Sequence, residues 1–428
     1  MVQRLEIKNF GPLREINLDI SDYMVFVGPN AAGKSTIAKL FYCFRSLPFP
    51  YRDLIADYNN LFVEGIYEFV EKIIRNHFRL FWDIEALQDD FTVRFYPNYN
   101  EKDSEHSFIS LKKSSTNLSI KWSKRFRDVI DKKISKYLEK VTSKGKERLS
   151  KMFRLEIFLI IYRYFNSDHE HCFIPAGRQI LSLPTDNMPL FNEGRFDYLT
   201  GNFMRFVKEK TTTFNIYIDE FKEQKIKKIV RDNHESLEIA CRLIDKILKG
   251  KYISTREGER IYLNEKQFVK LYEASSGQQE VLWILNIILL LIPTKETSSK
   301  DKNLTVIEEP EAHLFPETQH DITNLISLLA NRKNQQVIVT THSPYILVAL
   351  NNLLYAHKLG KDHPKETAEK INPLLWVDGN RLAVYIVENG TCRNIIDPEL
   401  EMISTEEIDH VSQIINGEFD SLFDLKYS

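Results

Sequence analysis

The sequence has no long apolar run. The longest, Val281 to Pro293, is interrupted by Asn286 and falls short of the roughly 20 residues that cross a bilayer; it reads as a buried helix. The opening residues, MVQRLEIKNFG, hold no apolar signal core. Only four cysteines occur, Cys43, Cys172, Cys241 and Cys392, and none stand at CxxC spacing. That argues against a cysteine zinc site or a dithiol redox motif and suits a reducing compartment. Net charge is also scarce: 58 Lys/Arg oppose 60 Asp/Glu, leaving −2, so any attraction to nucleic acid must be local. The expectation is a cytoplasmic chain with no membrane attachment. No low-complexity linker and no internal repeat are present.

What is present is a chain of 428 residues, 43% hydrophobic, 28% charged and 12% aromatic, ordinary for a globular protein and long for one core. Leu5, Ile7 and Phe10 alternate, as do Ile16, Leu18 and Ile20, the pattern of half-buried strands. Met24 to Val27 is a short continuous apolar run, as in a central strand. A helix is expected over Ile37 to Phe44. Helical spacing follows at Phe69, Ile73, Ile74 and Phe78, with strands expected at Phe91 to Tyr96 and Ser107 to Leu111. A second helical block is expected over residues 200–249. Leu304 to Ile307, Val337 to Thr341, Leu374 to Trp376 and Leu382 to Val387 read as later strands.

Between the third strand and its helix lies Gly28-Pro29-Asn30-Ala31-Ala32-Gly33-Lys34-Ser35, which fits G-x-x-x-x-G-K-[ST] at every fixed position. Its glycines let backbone N–H groups turn toward phosphate, and the helix presents its positive end to the same anion. Lys34 would reach the β- and γ-phosphates and Ser35 would give a hydroxyl to Mg²⁺. The strand Asn303 to Ile307 runs into Glu308-Glu309-Pro310-Glu311; one carboxylate would order the metal's shell and the next would polarise the attacking water. Val337 to Thr341 delivers His342 at its C-terminal end, where open α/β sheets bind ligands, and a γ-phosphate contact is expected. Ala274-Ser275-Ser276-Gly277-Gln278-Gln279 opens the apolar helix. Such a turn is either a plain helix cap or a second anion device, offered to a nucleotide held by a neighbour.

The order of these four elements resembles the ABC-type ATPase heads of the RecF, SMC and OLD proteins. LEIKNFGPLREINLDI…FVGPNAAGKST looks like their opening strands and Walker A loop, ASSGQQ their signature, VIEEPEAHLFP their Walker B and D-loop, and VTTHSPYIL their H-loop. CFIPAGRQ, around Pro175 and Arg178, is similar to a strand and turn of the OLD-like branch. The resemblance implies an α/β fold, a P-loop NTPase of ABC-head type with a mixed sheet interrupted by a mostly helical insertion. It implies ATP and Mg²⁺ held by Gly28, Asn30, Gly33, Lys34, Ser35 and Thr36, with Glu308 also at the metal. Glu309 falls on the catalytic base and His342 on the switch histidine; Ser275, Ser276, Gly277 and Gln278 fall on the signature that reaches across a dimer. Glu308 stands where many such proteins have Asp, and Ser276 replaces a glycine. Gln88 and Gln179 are both candidates for the Q-loop.

The expected organisation is a head split in sequence: residues 1–60, an insertion over 61–260 with core strands near 91–111 and 172–178, and residues 261–428 with an acidic tail. Glu388 has a faint likeness to the first element of a TOPRIM nuclease, but no DxD follows it. The chain therefore resembles stand-alone ATPases of bacterial anti-phage systems, the PtuA type of Septu or the ATPase of PARIS, which act beside a separate HNH or TOPRIM nuclease. Partners expected are a second copy, or a higher even-numbered assembly, and such a nuclease. DNA is a further candidate, through residues 110–154, where fifteen Lys/Arg face four Asp/Glu and Trp122, Phe126 and Tyr137 interleave with the lysines; a solvated helical face is the alternative. The segment 385–428, with ten acidic and two basic residues, is a candidate docking surface for a basic partner. A hydrolysis-poor ATP-gated scaffold and a RecF-type repair clamp are the competing readings. A transporter subunit is disfavoured by the long insertion and the EEPEAH run.

Overall fold

The computed structural model describes residues 2–47, 66–88, 90–99, 106–114, 117–140, 171–182, 196–222, 234–255, 258–292, 302–404 and 416–423, with positions 153, 156, 159 and 160. The expected boundary at residue 60, most of the segment 184–202 and much of the acidic tail lie outside them.

Two sheets build the head. Strands β1 (Val2–Phe10) and β2 (Leu13–Ile20) pair antiparallel, and β1 also pairs with β4 (Thr92–Tyr99). With β5 (Ser107–Ser114) and β6 (Asn117–Trp122) the order is β2-β1-β4-β5-β6. The strands near 91–111 thus belong to the same sheet as the N-terminal pair, although a long sequence separates them.

The second sheet has the order β14-β13-β3-β12-β11-β7. Here β3 is Tyr23–Val27, β7 Cys172–Ile174, β11 Asn303–Glu308, β12 Gln335–Thr341, β13 Leu382–Glu388 and β14 Thr391–Asn394. All pairs are parallel except the β13–β14 hairpin, which makes the sheet mixed. Side chains alternate between two cores. Met24, Phe26, Val306 and Ile338 enter the one shared with α1 (Lys34–Arg45) and the antiparallel sheet. Tyr23, Val25, Ile307, Val337 and Val339 enter the other. There they meet α6 (Ser276–Leu291), α7 (Pro316–Ala330) and α8 (Pro344–Leu359). Both faces of these strands are covered, which explains their continuous apolar runs.

Helices α2 (Ile66–Phe81), α3 (Lys124–Lys140), α4 (Tyr198–Lys222) and α5 (His234–Leu248) occupy much of the segment between. The small hairpin sheet β8 (Lys251–Thr255), β9 (Gly258–Tyr262) and β10 (Phe268–Lys270) follows them. Among the described residues no helix is long and apolar enough to cross a membrane.

Two expectations are corrected. The strand expected at Leu374 to Trp376 is a 3-10 turn over Pro373–Leu375. Pro373 lacks the N–H a ladder needs, and the Asn372 side chain accepts from Leu374 N at 2.9 Å, closing the turn instead. The aromatics within the basic stretch are not a stacking platform: Trp122 and Phe126 stack on each other at 4.6 Å and are buried in the core, while Tyr137 is half-buried against Phe153.

At the far end of α1 the buried Arg45 joins three strands. Its guanidinium donates to Gln3 Oε1 (3.0 Å), Gln336 Oε1 (2.8 Å) and the Lys302 carbonyl (2.7 Å), at the starts of β1, β12 and β11. Arg45→Ala would strand these acceptors, and a loss of about 2–4 kcal/mol is expected. Urea denaturation checks it: the midpoint should fall with an unchanged slope.

Candidate active site

The loops that follow the parallel strands meet at one cleft of about 1100 Å³, lined by Pro12, Asn30 to Thr36, Glu309 and His342. The loop after β3 cannot be built without its glycines. Gly28 has φ 145° and a Cβ there would lie 2.2 Å from the Val387 carbonyl oxygen; Gly33 has φ 105° and a Cβ would meet Leu13 at 2.4 Å. Gly33 also caps α1, with no side chain bonded to the helix N-terminus. The first-turn N–H groups are therefore not taken by a cap and suit an anion.

Lys34 is buried and donates to the carbonyls of Gly28 (2.9 Å) and Pro29 (2.8 Å). Burial pulls its pKa below the ordinary lysine value, opposed by the carboxylates of Glu309 and Glu311. Its ammonium also lies 3.3 Å from His342 Nδ1. An ammonium only donates, so Nδ1 is the acceptor and the ring proton sits on Nε2. That proton points at Glu309 Oε1, 3.2 Å away. A continuous chain from cation through imidazole to carboxylate results.

Glu308 ends β11 and is buried. Its Oε2 accepts from Ala176 N at 3.3 Å, whereas Oε1 is buried with no partner. An orphaned carboxylate oxygen at a strand end has the hard oxygen chemistry that suits a divalent cation, although Glu308 itself does not line the cleft. Glu309 has a left-handed backbone, φ 44°, and donates its N–H to Thr340 O at 2.9 Å. A non-glycine residue there is strained, a condition that gathers at working sites.

Glu311 had no assigned role in the sequence reading. Its Oε1 accepts from Thr341 Oγ1 and from His342 N, both at 2.7 Å, and so fixes the backbone that carries the histidine. The signal was the third carboxylate of EEPE.

Ser275, Ser276, Gly277 and Gln278 do not line this cleft. Ser275 caps α6 and forms a capping box with Gln278, so the plain-cap reading holds at that residue. The Gln278 amide also donates to Leu248 O at 2.9 Å. Both serines remain exposed. A Cβ on Gly277 would meet the His313 carbonyl at 2.7 Å, so the turn packs directly on the loop after Glu309. Of the two Q-loop candidates, Gln88 bonds both backbone groups of Gly11 (2.9 and 3.0 Å) beside Pro12 at the cleft rim, and Gln179 N donates to Glu280.

A family model for the AAA ATPase domain matches residues 1–347. No curated protein matches the chain. Among solved structures it is similar to an SMC head bound to the C-winged helix domain of ScpA, at 14% identity over 92% of this chain and 96% of that one, with a TM-score of 0.42. It is similar also to an SMC head with an extended coiled coil, bound to the C-terminal domain of ScpA and derived from Pyrococcus furiosus (12% identity, 97% and 99% covered, TM-score 0.41). The SMC head domain from Thermotoga maritima matches at 13% identity, with 92% and 98% covered and a TM-score of 0.35.

Gly28→Ala forces a methyl against the Val387 carbonyl. The strain, about 1–3 kcal/mol, should weaken binding of a fluorescent ATP analogue by about 5- to 150-fold. Fluorescence titration measures it, alongside an unchanged far-UV spectrum.

Proposed function

The chain belongs to the AAA ATPase domain family, it has the fold of an ABC-type P-loop ATPase head, and it is an ATPase; from that premise we propose that it hydrolyses MgATP between two head-to-tail copies and uses the cycle to control a partner nuclease, DNA or both. The observation that carries this reading is the convergence of Lys34, His342 and Glu309 in one cleft, with the exposed Ser275–Gln278 turn outside it. A turn built at a helix N-terminus, yet absent from its own chain's cleft, is suited to a nucleotide held by a mate.

In this reading the N–H groups of Gly33, Lys34, Ser35 and Thr36 cradle the phosphates, with Gly28 and Asn30 shaping the loop. The Lys34 ammonium exchanges the Gly28 and Pro29 carbonyls for phosphate oxygens. Ser35 and Glu308 would hold Mg²⁺, which supplies charge neutralisation across the β- and γ-phosphates. Glu309 accepts a hydrogen bond from the attacking water and orients it in line with the γ-phosphorus. The Nε2 proton of His342, which now points at Glu309, is placed to shift toward the γ-phosphate. Ser275, Ser276 and Gly277 approach the mate's γ-phosphate while Gln278 holds their turn in shape.

The finer assignment, control of a separate HNH or TOPRIM nuclease in anti-phage defence, draws support only from the likeness of VIEEPEAHLFP and CFIPAGRQ to that branch. A DNA contact draws support from α3, where Lys124, Arg125, Arg127, Lys132 and Lys136 are exposed. Lys133 is engaged by Glu156 at 2.9 Å. With Trp122 and Phe126 buried, such a surface would hold the phosphate backbone by charge and read no bases.

Glu309→Gln is expected to lower turnover by about 10²- to 10⁴-fold and to accumulate an ATP-bound dimer in size-exclusion chromatography with light scattering. Unchanged turnover would favour the hydrolysis-poor scaffold. For DNA, replacing Lys124, Lys132 and Lys136 with Gln should make the slope of log affinity against log salt shallower by about 2–3; an unaltered slope removes α3 from contact with the duplex.

A further inference from the structure

A second buried assembly lies behind the cleft, and nothing in the chemistry above uses it. Arg178, in the 3-10 turn after β7, and Glu280, one turn into α6, form an ion pair at 3.3 Å with side-chain exposures of 0% and 2%. The guanidinium does more than meet the carboxylate. Nη1 donates to the carbonyls of Pro175 (2.7 Å) and Glu308 (2.6 Å), Nη2 to that of Glu309 (3.1 Å), and Nε to that of Glu280 (3.1 Å). The Glu280 carboxylate in turn accepts from the backbone N–H of Arg178 (3.1 Å) and of Gln179 (3.2 Å). One planar cation therefore grips the backbone of both acidic residues and, at Glu280, the helix just past the turn that carries Ser275 to Gln278.

Removing two charges from water costs several kcal/mol per ion, and apolar residues of similar volume often fold as stably. The pair is thus poorly explained as a source of stability. What it supplies is direction, because a planar guanidinium whose donors all point at fixed backbone carbonyls admits one placement of its partners. A second contact works along the same line: Gly277 lies against the His313 carbonyl, so closely that a methyl would sit 2.7 Å from it. The outer turn and the acidic loop touch at Gly277 and are bridged behind it by Arg178.

We infer that Arg178 and Glu280 are positioning residues that carry the state of a head's own nucleotide site to the Ser275–Gln278 turn it offers to a mate. The inference rests on the reading of that turn as the surface presented in trans. When Glu308 and Glu309 reorganise around MgATP, their carbonyls move the guanidinium, and the guanidinium moves α6 at Glu280, directly behind its opening turn. The offered surface then reports occupancy: a filled head presents a different turn from an empty one.

The test needs no second copy. With the protein diluted below the concentration at which light scattering detects association, hydrogen–deuterium exchange of residues 276–280 is compared with and without MgATP. In the wild-type chain MgATP should change exchange across this segment. In Glu280→Gln, which keeps the backbone contacts of Arg178, the change should shrink, and in the volume-matched double variant R178M/E280L it should vanish, while affinity for a fluorescent ATP analogue stays within about threefold. A purely structural pair would instead lower the melting temperature and leave the MgATP-dependent change in place; persistence of that change in both variants overturns the inference. Absence of an ATP-dependent dimer at high concentration would sink the head-to-tail reading by a separate measurement.

Discussion

Strand β12 hydrogen-bonds to β3 on one side and to β11 on the other, all three parallel, and this pairing determines where every reactive side chain emerges. The register sets Thr341 beside Val27 and Thr340 beside Glu308. The next residues out therefore leave the sheet together, Gly28 level with His342 and Glu309 one residue behind them. A parallel ladder cannot slip by one residue without turning its buried sides to the wrong core, so the site's geometry is secured by the same apolar alternation that divides Met24 and Phe26 from Tyr23 and Val25. The strained backbone of Glu309 is held by this frame through its N–H bond to Thr340.

The cleft also shows how charges of opposite sign coexist without collapsing into one tight pair. Lys34 and Glu309 are separated by the imidazole of His342, which accepts from one and donates to the other. Glu311 stands behind and accepts from the His342 N–H and from the Thr341 hydroxyl beside it. Each group keeps a partner that a triphosphate can replace like for like: carbonyl oxygens at Lys34 give way to phosphate oxygens, and carboxylate at His342 gives way to phosphate.

Much of this was legible in the residues because local geometry and chemistry coincide there. A glycine loop between strand and helix, an apolar strand ending in carboxylates and another ending in histidine are each short segments whose pattern states their placement. The Arg178–Glu280 pair was not legible as such. Its partners lie 102 positions apart, and what Arg178 grips at Glu308 and Glu309 is backbone, which no side-chain pattern records. The hints were the CFIPAGRQ turn that holds Arg178 and a lone carboxylate near the head of the apolar helix GQQEVLWILNIILLL. The interleaved aromatics of residues 122–137 misled for a related reason. Amphipathic helix and strand faces place basic and aromatic residues side by side in sequence and on opposite sides in space. Leu374 to Trp376 misled because β-rich composition outweighed Pro373 in the reading.

Arg45 gives α1 a mechanical character. The helix has 12 residues, a stiff rod of about 18 Å at the usual rise. Its front end opens onto the cleft, and its rear end is bolted to Gln3, Gln336 and Lys302. Gln3 belongs to the antiparallel sheet and the other two residues stand at the base of the parallel one. A load on the rod from its cleft end is thereby divided between both sheets at their roots, on the side away from the cleft.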